Sequence, residues 1–170
     1  LGSGTVTNKG TLYGCSSRIA KGSIVNSGTL NSYTGLLCSG SVENGGSLYF
    51  DRRDALTLTN AFSGTGAIFL RYGPSVTFSG NVATNGTLTI GTGSLSLTND
   101  AYCLLSGGLV VAERSVYPVD QTNVTGVINV SDGCALVAKY IICGNRSTYS
   151  GGSMTGTLNQ VGGSVRTTGV

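Results

Sequence analysis

LGSGTVTNKGTLYGCSSR (residues 1–18), IAKGSIVNSGTLNSYTGL (19–36) and LCSGSVENGGSLYFDRRD (37–54) are one 18-residue pattern written three times without a gap. An aliphatic residue opens each copy: Leu1, Ile19, Leu37. Glycine stands fourth (Gly4, Gly22, Gly40), then a hydroxyl (Thr5, Ser23, Ser41) and a branched aliphatic (Val6, Ile24, Val42). Asparagine follows at Asn8, Asn26 and Asn44. A second glycine, hydroxyl and leucine close the pattern at Gly10-Thr11-Leu12, Gly28-Thr29-Leu30 and Gly46-Ser47-Leu48. A repeat this short is the mark of a stacked array, in which each unit buries its apolar face only against its neighbours.

Within each copy apolar and polar residues alternate over short runs, as in Thr5-Val6-Thr7 and Thr11-Leu12-Tyr13. Period two is the strand pattern. Glycine and asparagine between the runs supply the corners. Short strands with tight corners make one coil of a β-solenoid, and the next coil lies about 4.8 Å above it. The spacing therefore predicts columns: Val6, Ile24 and Val42; Leu12, Leu30 and Leu48; and an amide ladder of Asn8, Asn26 and Asn44 at a corner. The fold class expected is all-β, a single-stranded parallel β-helix with coils of about 18 residues or longer.

Composition agrees with this reading. The 170 residues suffice for one domain. There are 28 glycines, two prolines, 21 serines and 21 threonines, and no histidine or tryptophan. A hydrophobic fraction of 39% with a net charge of +3 is not the balance of a disordered chain. Glycine recurs too often for helix interiors. No apolar stretch approaches the length that spans a bilayer, so no membrane insertion of this segment is expected. The charge is dispersed, which argues against a nucleic-acid partner. The start at Leu1 suggests a processed or excised piece of a longer product.

Beyond Asp54 the period loosens while the vocabulary persists. Ala55-Leu56-Thr57-Leu58, Gly86-Thr87-Leu88-Thr89-Ile90, Gly93-Ser94-Leu95-Ser96-Leu97 and Gly126-Val127-Ile128-Asn129-Val130 alternate as strands. No composition break appears. The chain reads as one β-solenoid domain over 1–170, with regular coils in 1–54 and irregular ones in 55–170. This Gly-Thr-Leu, Asn-x-Gly-Thr and Ser-Gly-Gly-x-Val vocabulary resembles the β-helical repeat regions of large bacterial surface proteins. The nearest are autotransporter passenger domains with their autotransporter-associated strand repeats. The resemblance implies a right-handed parallel β-helix that is secreted or held at the cell surface, outside the cell. A left-handed triangular helix of three hexapeptides per coil is the alternative. It is disfavoured because the third hexapeptides end in Arg18, Leu36 and Asp54, with no consistent aliphatic.

Chemistry is sparse. Glycoside hydrolysis needs paired carboxylates on one face. Asp51 and Asp54 are close in sequence, but Arg52 and Arg53 between them suggest a neutralised corner. No histidine is present to serve as base or metal ligand. No catalytic, metal or cofactor site is expected, and no enzyme activity. The five cysteines, Cys15, Cys38, Cys103, Cys134 and Cys143, lack Cys-x-x-Cys spacing and are expected mostly in the core. Cys134 and Cys143 are the pair best placed for a disulfide. Asn85, Asn123, Asn129 and Asn145 head Asn-x-Ser/Thr sequons, no more than so hydroxyl-rich a chain yields by chance. Hydroxyl pairs at Thr57/Thr59, Thr87/Thr89 and Ser94/Ser96 fall at uneven intervals, which argues against a regular ice-binding array. Tyr13 and Tyr49 share a column that Asn31 interrupts, a weak basis for a sugar platform.

Both ends read as repeat text, and a solenoid end presents unpaired strand edges. The expected function is a structural protein whose subunits stack head to tail into a filament or sheath. Leu1, Val6 and Leu12 would meet Leu158, Val161 and Val165 of the next copy. The alternative is a segment of an adhesin passenger that binds a surface or its glycans.

Overall fold

The computed structural model describes residues 4–14, 22–33, 39–51, 54–73, 75–91, 93–113, 123–145 and 153–169. Among them are twenty strands and no helix, arranged in three sheets in which every pairing is parallel. The first sheet holds β1 (Thr5–Asn8), β3 (Ser23–Asn26), β5 (Val42–Asn44), β8 (Phe62–Ser63), β11 (Val82–Thr84), β14 (Tyr102–Leu105), β17 (Ala135–Ala138) and β20 (Ser164–Thr167), in that order. The second runs from β2 (Thr11–Gly14) through β4 (Thr29–Ser32), β6 (Ser47–Asp51), β9 (Ala67–Arg71), β12 (Leu88–Ile90) and β15 (Leu109–Glu113) to β18 (Ile141–Asn145). The third runs from β7 (Ala55–Leu58) through β10 (Ser75–Phe78), β13 (Gly93–Leu97) and β16 (Val124–Val130) to β19 (Met154–Gln160). From β5 onward the chain visits first, second and third sheet in turn, then returns to the first. This is the order that stacked coils of a β-solenoid produce.

The register builds the expected columns. Val6 pairs with Ile24, Ile24 with Val42, and the file continues through Phe62, Val82, Cys103 and Leu136 to Val165. Leu12, Leu30 and Leu48 align likewise and continue through Ile68, Leu88 and Leu109 to Ile141. These files point inward. From Ile24 to Leu136 and from Leu30 to Leu109 every member is buried, and both belong to one continuous core cluster. Phe62 and Phe78 meet edge to face inside it, ring centroids 5.3 Å apart.

The strictness of the glycines has a steric cause. Gly40 N–H donates to Gly22 O at 2.8 Å, and a Cβ on Gly22 would strike Gly4 O, so Gly4, Gly22 and Gly40 do stand in one column. At the next corner Gly10, Gly28, Gly46, Gly66 and Gly86 stack so closely that a Cβ on any of the last four would collide with the carbonyl of the glycine before it. A side chain there would push neighbouring coils apart.

The asparagine ladder forms. Asn8 Nδ2 donates to Asn26 Oδ1 at 2.7 Å, and Asn26 Nδ2 to Asn44 Oδ1 at 2.7 Å. The same amides also reach backbone carbonyls of Thr29, Ser47 and Ala67. All three side chains are buried, so every donor they carry needs such a partner.

Candidate functional surfaces

The outward face of the second sheet carries the clearest cluster of chemically distinctive side chains. Its central file is Tyr13, Asn31, Tyr49, Phe69, Thr89 and Val110, set by the strand register. Tyr49 and Phe69 stack with centroids 4.7 Å apart and planes within 12°. Tyr13 stacks on Tyr33 at 6.3 Å. Asp51 and Arg71 are register partners on β6 and β9. Arg71 donates from Nε to Oδ1 and from Nη2 to Oδ2 of Asp51, a two-pronged pair. Its guanidinium also lies over the Tyr49 ring, 4.1 Å from the centroid. Burial pulls the Arg71 pKa down. The hydrogen bonds and charge of Asp51 outweigh this, and the net shift is upward.

This partner of Asp51 could not be read from adjacent residues. The sequence suggested Arg52 and Arg53, which lie outside the described residues; among the described residues the charge that meets Asp51 is Arg71, twenty positions on. Only the coil length, known after the register is known, would have pointed to it. The aromatic pair also differs from a sugar platform. A sugar's C–H face needs an open ring face, and the Tyr49 ring already has Phe69 and Arg71 packed against it.

The second candidate surface is the last coil. Leu158 pairs with Ile128 in an inward file of the third sheet that begins Leu56, Val76, Leu95. Ile128 is 0% exposed and Leu158 is 37% exposed. Val165 closes the inward file of the first sheet and is half-buried against the core. Val161, at the corner between β19 and β20, is 71% exposed. On the opposite edge Val6 and Leu12 are half-buried, again packed on the core. Leu1 lies outside the described residues. Among the described residues no strand pairs with the far edges of β18, β19 and β20.

The cysteines do not pair as expected. Cys103, Cys134 and Cys143 are free thiols, and the proposed Cys134–Cys143 disulfide is not formed. Cys134 is buried at the corner before β17, while Cys143 lies on β18, in the file of Ile90 and Val111, and is exposed. The whole of β17 and a further corner separate them. Burial pushes the Cys103 thiol up to about 12. Cys15 and Cys38 lie outside the described residues.

Of the four sequon asparagines, Asn85 and Asn123 are exposed. Asn123 Oδ1 accepts bonds from Ser153 N and Oγ at 3.0 Å each. Asn129 is half-buried, its amide bonded to Ser96 and its oxygen to Asn159. Asn145 ends β18, and its side chain lies outside the described residues. Among the described residues no three metal-binding side chains cluster, and no helix is long and apolar enough to cross a membrane.

No protein-family model, no curated protein and no solved structure matches this chain.

Proposed function

We propose that the chain is a structural β-solenoid, wound as a right-handed parallel β-helix, whose copies stack head to tail into an extracellular filament or sheath. A single observation carries the reading. Inward files that are fully buried through the body of the molecule surface at the last coil, where Leu158 stands in the open beneath a buried Ile128. Covering such files takes further strands in register, and the first coil of a second copy offers two: Val6 in line with the first-sheet file that ends at Val165, and Leu12 in line with the second-sheet file that ends at Ile141. Right-handed winding is supported by the strong preference of parallel crossover connections for that hand. The contact is heterologous and does not close on itself, so it propagates.

Electron microscopy of the purified chain tests this. Filaments are expected, and Leu158→Lys with Val165→Lys should disperse them into folded monomers. Monomers at high concentration from the unaltered chain would overturn the proposal.

A second reading rests on the same open file. The covering strand belongs to the same polypeptide, and the chain is a segment of an adhesin passenger that binds a surface or its glycans. Exposed Tyr13 and Tyr72 on one side of the stack favour it. Coding sequence that continues in frame with the same alternation would decide for it.

A further inference from the structure

We propose that the outward face of the third sheet binds ice. The hydroxyl pairs that look irregular in the sequence do not belong to one surface. Thr87 and Thr89 flank Leu88 on the second sheet, whereas Thr57 lies on the third. The true neighbours of Thr57 are Thr77, Ser96, Asn129 and Asn159, one per coil, in unbroken parallel register. A second file runs beside it from Ala55 through Ser75, Ser94 and Val127 to Thr157. The differing lengths of chain between these strands are absorbed elsewhere in each coil.

The result is a two-dimensional grid. Its steps are about 4.8 Å from strand to strand and about 6.6–6.8 Å between outward residues of one strand. Both lie close to the lattice repeats of hexagonal ice on its prism plane. Five strands side by side make the grid about 19 Å across. None of the five carries a charged residue, while each of the other two sheets does (Glu43 and Arg166, Asp51 and Arg71). Charged groups hold water in shells that do not fit a crystal, so a neutral face of hydroxyls, amides and methyl groups suits a neutral water lattice. An ionic partner would find no counter-charge here.

The side chains are also held in place. Ser94 Oγ donates to Ser75 Oγ at 3.1 Å, Asn129 Nδ2 to Ser96 Oγ at 3.1 Å, and Asn159 Nδ2 to Asn129 Oδ1 at 2.9 Å. Beneath them Val76, Leu95 and Ile128 are fully buried, which anchors the strands to the core. Groups already ordered lose little freedom when they meet a lattice. The inference does not depend on head-to-tail assembly, because this face runs along the side of the stack.

Crystal shaping and thermal hysteresis in a nanolitre osmometer test it with the purified chain. Faceted crystals and a measurable gap between melting and growth are expected. Thr77→Lys and Ser96→Lys should each abolish both. Thr7→Lys, exposed on the first sheet, should leave both intact, with unchanged circular dichroism in all three variants. Rounded crystals and no gap for the unaltered chain would overturn the proposal. So would equal loss in the Thr7→Lys control, or retention on microcrystalline cellulose by a chain that leaves ice unshaped.

Discussion

The corner between the first and second sheets is built in two different ways at the two ends of the molecule. In the first three coils it is filled by Asn8, Asn26 and Asn44, each amide bonded to the next. In the sixth and seventh coils the same column holds Leu105 and Ala138, both fully buried. Gly64 and Thr84 stand between, and Thr84 Oγ1 donates to the carbonyls of Gly64 and Gly66. The amide ladder requires side chains of equal reach at equal height, and there the sequence repeats every 18 residues. The apolar column requires only that something of suitable volume point inward. There the register steps widen, to 33 residues between Cys103 and Leu136. The fold therefore does not need the repeat. The repeat is the signature of the ladder; the stacked glycines outlast it, through Gly66 and Gly86.

Exchanging the two chemistries should break each half, with the largest effect where an amide enters the apolar column. Leu105→Asn should destabilise by about 4 kcal/mol, from lost burial and an unsatisfied amide. Chemical denaturation would show it, and a loss below ~1 kcal/mol would mean that this corner is not dry. Asn26→Leu should cost about 3 kcal/mol, because it leaves the Asn8 donor and the Asn44 acceptor buried without each other's chain. An unchanged midpoint would show that the ladder is ornamental.

A smaller effect is expected at the second sheet. Asp51→Asn removes the charge beneath a partly exposed Arg71, and should cost about 1–2 kcal/mol in low salt and less in high salt. Salt-independence would place the pair's worth in packing on Tyr49 instead.

The smallest effect at neutral pH is at Cys103. Its thiol, pushed up from 9.0 to about 12, keeps its proton in the folded chain where the unfolded chain loses it. Stability should therefore fall as pH rises from about 9 toward about 12. Cys103→Val should flatten that slope and change little at pH 7. An identical slope in the variant would assign the alkaline loss to other groups.

The same contrast explains what could be read beforehand. Strand positions, inward files and the amide corner in residues 1–54 were legible because identical side chains must stack there. Past Asp54 alternation still marked strands, but not which strand lies over which. Thr57 and Thr77 share a file, and nothing local in either run says so. For that reason the Asp51–Arg71 pair and the hydroxyl grid emerged only with the register. The expected Cys134–Cys143 bridge is absent for a related cause: the two thiols are near in sequence, but the strand β17 and a corner lie between them.

Nuclear Overhauser contacts between methyl-labelled Val6, Ile24 and Val42 test the central claim most directly. Parallel in-register stacking predicts strong contacts from Val6 to Ile24 and from Ile24 to Val42, with none comparable from Val6 to Val42. Cross-strand contacts of an antiparallel kind between Thr5–Asn8 and Thr11–Gly14, with the three methyl groups mutually distant, would contradict it.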